Sequence, residues 1–345
     1  MTRSVAIIAC ANGFGHVRRC MTIARALHHS GADVTLFAPD AAIRRLENST
    51  GVEARYAHVD FDTTTNAAAL KAGADETAHW EKRLPAFDRF DIVVSDNLPE
   101  ILALRPDAML SGNFLWHQAL PDISCRLAAR ARALLEAHRP VMLTYGPFVA
   151  DGLGDDVRRI SVPMLQERRP AEAAQRDGIL VTCGRGGNLI DETAALIAAF
   201  AQAPRPTGIK VFVEPDLVPA AAPEWITAAD YSPEMYDRLH AAVARPGMGT
   251  VGDCLASGVR IFAFHESGNL EMTDNAQKIA ALAVGEHCRD GAEAWQRAIE
   301  YVNDPGEQAQ HAEAVDSLEF GGADRAAVRI LDQFPNTCSS DEHKS

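Results

Sequence analysis

Gly13-Phe14-Gly15-His16 joins a short apolar run to an amphipathic one. Glycine at such a junction lets backbone approach a ligand closely. The helix that starts there offers free N–H groups and the positive end of its dipole. A neutral imidazole in that position takes a proton from a hydroxyl near neutral pH, which makes His16 a candidate base; the alternative is a capping or solvent-facing histidine. A second group of residues, Arg245-Pro246-Gly247-Met248-Gly249-Thr250, brings a guanidinium, a hydroxyl and another helix start to one place. That combination suits a diphosphate, although Gly247 and Gly249 can also serve only to make a tight turn. A third glycine-rich turn, Cys183-Gly184-Arg185-Gly186-Gly187-Asn188, offers Arg185 either as a second cation for phosphates or as a solvated charge. Asp96 closes the apolar run Ile92-Val93-Val94-Ser95, where it either caps the segment before Pro99 or stands beside His16 as an orienting carboxylate.

These residues need a scaffold, and the chain alternates the two kinds of apolar period. Strands are expected at Val5–Ala9, Asp33–Ala38, Val52–Val59, Asp91–Ser95, Ala108–Ser111 and Val141–Tyr145, with a helix over Val17–His29 that stops at Gly31. Pro163–Asp177 is polar and carries proline at two points, so it reads as a linker between halves. The alternation then restarts. Strands are expected at Gly178–Cys183, Ile209–Glu214, Glu224–Ala228, Ala241–Ala244 and Arg260–Phe264, with helices over Leu189–Ala201, Pro233–Leu239, Gly249–Ser257 and Thr273–Val284. Continuous apolar strands separated by helices predict parallel sheets covered on both faces. The division is 1–162, linker 163–177, 178–334, and a polar tail 335–345 expected to be disordered.

Composition narrows the function. The 345 residues are long enough for two domains, and 47% apolar with 23% charged is ordinary for a globular chain. A net charge of −14 repels a nucleic-acid backbone, so nucleic acid is not an expected partner. No apolar run reaches the length of a spanning helix and the start lacks a signal-peptide pattern, which predicts a cytoplasmic protein. The seven cysteines form no C-x-x-C pair and read as reduced packing thiols. Asp60-Phe61-Asp62 has nothing around it to make a metal motif, and His265-Glu266 lacks the second histidine of a zinc-protease helix.

Gly13-Phe14-Gly15-His16, the arginines Arg18 and Arg19, and Ile23-Ala24-x-x-Leu27 resemble the entry motif of GT-B glycosyltransferases, such as the UDP-glycosyltransferases and the peptidoglycan lipid-linked N-acetylglucosaminyltransferase. The same motif is similar to that of the UDP-sugar hydrolase of pseudaminic acid biosynthesis. Ala244–Leu282 resembles the donor-binding signature of the same fold. The resemblance implies two Rossmann-like domains facing across a cleft, with His16 as base and Asp96 as its orienter. It implies Arg245, Gly247, Gly249 and Thr250 at the donor diphosphate, Asp253 at the ribose, and Glu271 and Asn275 near the donor sugar. Gly184 and Arg185 match the glycine loop facing the cleft. Asp253 stands where the family usually has glutamate, and Met272 where many relatives have glutamine. The expected activity is inverting transfer of a sugar, from a nucleotide-diphosphate donor such as a UDP-sugar to a hydroxyl acceptor. No cofactor or metal is expected. A nucleotide-sugar hydrolase and a catalytically silent GT-B partner protein are the alternatives.

Overall fold

The computed structural model describes residues 2–50, 53–63, 80–84, 87–120, 125–154, 156–169, 176–184, 189–203 and 208–334. The first sheet contains β1 (Ser4–Ile8), β2 (Asp33–Ala38), β3 (Ala57–Asp60), β4 (Ile92–Asp96), β5 (Met109–Ser111), β6 (Val141–Tyr145) and β7 (Arg158–Val162). Its spatial order is β3-β2-β1-β4-β5-β6-β7, and every pairing is parallel. The helices of this half are α1 (Phe14–His29), α2 (Asp40–Thr50), α3 (Trp116–Ala119) and α4 (Cys125–His138). Strand β7 had no counterpart in the sequence pattern. Its residues Arg158–Val162 form an edge strand that buries only Val162, so no apolar run marks it.

The second sheet contains β8 (Gly178–Thr182), β9 (Lys210–Val213), β10 (Ile226–Ala228), β11 (Leu239–Ala244), β12 (Arg260–Ala263) and β13 (Gly285–His287), all parallel, in the order β10-β9-β8-β11-β12-β13. Its helices are α5 (Ile190–Gln202), α6 (Pro233–Asp237), α7 (Met248–Ala256), α8 (Leu270–Ala281), α9 (Gly291–Val302), α10 (Pro305–Asp316) and α11 (Gly322–Asp332). The two sheets therefore repeat one topology. In each, the order reverses beside the first strand, at β1/β4 and at β8/β11. A doubly wound sheet opens a ligand crevice at the carboxyl ends of the strands at that point. This is the expected architecture of two Rossmann-like halves.

Helix α1 forms because Val17, Cys20, Ile23, Ala24 and Leu27 fall on one buried stripe against the first sheet, and it stops where Gly31 turns to φ +85. His28 and His29 occupy its last turn, where the helix dipole favours them. Residues 163–169 are held in place at every turn. Met164 donates its N–H to the Glu319 carbonyl at 3.0 Å, Gly321 to Gln166 at 2.8 Å and Gly322 to Met164 at 2.8 Å. Two chain crossings thus run side by side between the halves. After the second crossing α11 packs on α1, with Ala326, Ala327 and Ile330 inside the core of the first half. The last helix of the chain belongs by its packing to the first sheet. Residues 170–175 and 335–345 lie outside the described residues.

The crossing depends on Gly322. A Cβ there would lie 2.1 Å from the Pro163 carbonyl oxygen. Gly322→Ala should cost about 1–3 kcal/mol, the usual penalty of forcing bulk into a packed place. A urea titration should show a lower midpoint at constant slope; an unchanged midpoint would mean that the crossing yields freely.

Candidate functional site

Each expected residue of the first half sits at the β1/β4 reversal. Gly13 is the N-cap of α1, in extended backbone, and supplies no side-chain cap to the first turn. Gly15 and His16 follow in that turn. Asp96 is the last residue of β4 and is fully buried. Its Oδ1 lies 3.1 Å from His16 Nδ1, so strand order alone joins residues 80 positions apart. Arg19, one helical turn after His16, grips the same carboxylate with Nε to Oδ2 at 3.0 Å and Nη2 to Oδ1 at 2.5 Å. The Cys20 thiol adds a contact to Oδ2 at 3.3 Å. Burial pushes the Asp96 carboxyl up, but Arg19 and then His16 outweigh it and hold it below the usual carboxylate range. The ring of Phe114 meets His16 edge-on at 6.1 Å.

The second half builds its side at the β8/β11 reversal. Gly184 follows β8 at φ +56, in the left-handed region where glycine is tolerated. Arg185 lies outside the described residues. Arg245 leaves the end of β11, and Gly247 is the N-cap of α7, again with no side-chain cap. The first turns of α1 and α7 both lack acidic residues, and Thr250 sits in the first turn of α7. The two turns touch through bare backbone: a Cβ on Gly249 would lie 3.2 Å from Gly15 Cα. Two helix starts without side-chain caps thereby meet at one point.

Arg245 is already engaged. Its Nε donates to Glu266 Oε2 at 2.9 Å and its Nη2 to Oε1 at 2.7 Å, while Asn269 donates to Oε1 at 3.2 Å. The sequence pattern gave no sign of Glu266 except as half of a failed zinc motif. Burial raises its carboxyl, and Arg245 outweighs this and holds it below the ordinary glutamate value. Burial raises the carboxyl of Glu271, in the first turn of α8, and the fields of His16, Arg245 and Arg19 counter only part of that push. Glu271 ties the second half electrostatically to His16.

Two expected ligand contacts turn inward. Asn275 is buried and donates Nδ2 to the Pro246 carbonyl at 2.9 Å, so it braces the glycine turn from behind. Asp253 is also buried and pairs with Arg18, which reaches over from α1. Gln166 and Tyr236 bond to the same carboxylate. Burial raises the Asp253 carboxyl despite Arg18. Beside this pair a cavity of about 240 Å³ opens between the halves, lined by Arg18, Arg25, Gln166, Arg169, Tyr236 and Asp253 among others. Helix α7 is fixed from its far end. The Arg169 N–H and the Arg168 guanidinium donate to the Ala256 carbonyl at 2.7 and 3.0 Å, and Arg176 donates to the carbonyls of Ser257 and Gly258 at 2.5 and 3.0 Å. Cations at a helix carboxyl end complement its dipole and satisfy its free carbonyls.

Comparison with known proteins bears on the fold. No family model matches the chain, and no curated protein matches it in sequence. Solved structures do match. The glycotransferase of kitacinnamycin superposes with a TM-score of 0.66 over 97% of this chain and 100% of its own, at 16% identity. LpCGTa, solved in complex with UDP, gives 0.64 over 98% and 100%, at 16% identity. The glycosyltransferase VinC, in complex with dTDP, gives 0.60 over 96% and 99%, at 12% identity. The chain has the GT-B fold that these glycosyltransferases share.

Under the loops of the first half, Glu100 is buried and accepts from Trp116 Nε1 at 3.2 Å, and burial pushes its carboxyl from 4.5 up to about 7. The folded chain therefore binds a proton that the unfolded chain releases between those values. The resulting penalty is absent below about pH 4.5 and complete above about pH 7, and it amounts to roughly 3 kcal/mol. Stability should fall by that order as pH rises through the window, and Glu100→Gln should remove this part of the slope. Urea midpoints taken across the window in both proteins check it; parallel curves would contradict the assignment.

Proposed function

We propose that this chain is an inverting glycosyltransferase that moves a sugar from a pyrimidine nucleoside diphosphate donor, UDP first, to a hydroxyl acceptor. The carrying observation is the meeting of two uncapped helix starts at Gly15 and Gly249, beside Arg245 and His16. A diphosphate is the anion that such a place suits, because N–H groups and a guanidinium can share its charge. The structural neighbours bound to UDP and dTDP support the same class of donor. The nucleoside lies toward the cavity at Asp253, whose carboxylate must exchange a bond with Arg18 or Tyr236 to take a ribose hydroxyl.

In the reaction His16 accepts the acceptor's proton at Nε2 while its Nδ1–H points to Asp96, which stabilises the imidazolium. The acceptor oxygen forms its bond to the anomeric carbon as the bond to the diphosphate breaks. Arg245, Thr250 and the two helix starts receive the departing negative charge, so no metal ion is required for it. Activity should accordingly survive EDTA; loss restored by magnesium or manganese would assign the leaving-group chemistry to a metal.

Binding only the native state, UDP at a hundred times its Kd should stabilise the chain by about 2.7 kcal/mol and raise its melting temperature by a few degrees. Arg245→Ala should remove most of the rise. Absence of any shift with millimolar UDP or dTDP in the wild type would refute the reading.

His16→Ala should lower the rate about 10²–10⁴-fold and leave the UDP shift intact. The fate of the sugar then separates transferase from hydrolase. Slow release that speeds up with a hydroxyl acceptor supports transfer, whereas fast release indifferent to acceptors supports hydrolysis. Full activity in His16→Ala would exclude both.

A further inference from the structure

His16 Nδ1 has two neighbours with opposite demands. Asp96 Oδ1, an acceptor, lies at 3.1 Å, and Arg19 Nη2, a donor, lies at 2.9 Å. A neutral imidazole carries one N–H, and the bond made by one ring nitrogen decides which nitrogen holds it. If Nδ1 holds the proton, it donates to Asp96 but faces the N–H groups of a guanidinium closer still. If Nε2 holds it, the two hydrogens of Arg19 Nη2 divide between Asp96 Oδ1 and His16 Nδ1, and each of the two has an acceptor.

Arg19 is held beside this ring. Its side chain is 9% exposed, both Asp96 oxygens hold it, and its guanidinium lies 5.6 Å from the centroid of the Tyr145 ring. The ring of Tyr145 is itself fixed by a bond from its hydroxyl to Ser111 Oγ at 2.7 Å. Arginine stays charged at all relevant pH, so it remains a donor. The charge of Asp96 is likewise spent on Arg19 before it reaches His16.

We propose that Arg19 is a positioning residue that sets the resting tautomer of His16 to Nε2–H. This rests on the reading of His16 as the base, and it adds that the base is held off in the empty cleft. In the resting form Nε2 offers a hydrogen to the cleft. The base form arises when Arg19 Nη2 turns wholly to Asp96 and the proton moves, through solvent, from Nε2 to Nδ1. The ring gains no net proton in that exchange.

The tautomer is directly readable. Long-range ¹H–¹⁵N correlation spectra of the full chain, labelled in histidine, distinguish the two ring nitrogens; a His16→Gln spectrum assigns the signal. At pH 8 without ligand, the wild type should show the Nε2–H form in about ten-fold excess or more, as expected of a hydrogen bond from a charged donor. Arg19→Met has no N–H to offer Nδ1 and leaves Asp96 to accept from it, so the Nδ1–H form should predominate. An Nδ1–H wild type overturns the proposal. An Nε2–H signal unchanged in a folded Arg19→Met removes Arg19 from it. If Arg19→Met does not fold, the wild-type spectrum still decides the tautomer. No nucleotide enters the measurement, so failure of UDP to bind would sink the proposed function without touching this result.

Discussion

The approach of Gly15 to Gly249 is the constraint on which the cleft depends. A side chain at Gly249 would meet Gly15 Cα at 3.2 Å and press the first turns of α1 and α7 apart. Without it, two positive helix ends lie against each other, an arrangement that is favourable only if negative charge is close by. The cleft supplies carboxylates, but three of the four are matched one to one with arginines: Asp96 with Arg19, Asp253 with Arg18, and Glu266 with Arg245. Glu271 is the fourth, and burial raises its carboxyl. The helix ends thus face carboxylates that are mostly held by other cations.

The same logic explains why the segment between the sheets is not a plain tether. Pro163–Asp177 reads as a linker because it is polar and proline-containing, and by those criteria nothing distinguishes it from solvent-exposed chain. Its arginines instead seize the carboxyl end of α7, while its backbone at Met164 and Gln166 bonds to the returning chain. A helix held at its carboxyl end and left bare at its amino end has its dipole aimed into the cleft. The return crossing and α11 then clamp the first half onto this frame. None of this is periodic, so no pattern of apolar residues could announce it.

What the sequence made legible was what depends on local order. The glycine turns, His16, Arg245 and the strand rhythm are all neighbours in the chain, and the doubled topology follows from that rhythm. The joining of His16 to Asp96 needed one further fact, that β1 lies beside β4, which the strand pattern does not contain. Side-chain direction on helices was the other blind spot. Arg18 and Arg19 are adjacent in sequence, yet on α1 they point about a hundred degrees apart, one to Asp253 across the cleft and one to Asp96 beneath it. Asn275 and Asp253 sit at family-like spacings, but the helices carrying them turn the two side chains to Pro246 and Arg18. Spacing fixed their residue types and left their facing open.

Three arginine–carboxylate pairs gathered in one cleft are poorly explained by stability. Withdrawing paired charges from water costs about as much as their attraction returns, and apolar replacements of similar volume are often neutral or better. The two cores built on β1 and β8 hold together through their own apolar faces, without those pairs. Their value lies in placement. A bidentate guanidinium fixes both the position and the plane of its partner, which a single point charge does not. Under the proposed function, Glu266 also keeps Arg245 extended and already partly stripped of water, so a diphosphate exchanges one oxyanion for another instead of desolvating a free cation. Arg19 applies the same device to Asp96, and through it to the ring of His16. The pairs thus convert a marginal cost in folding into a cleft whose charges are oriented before any ligand arrives.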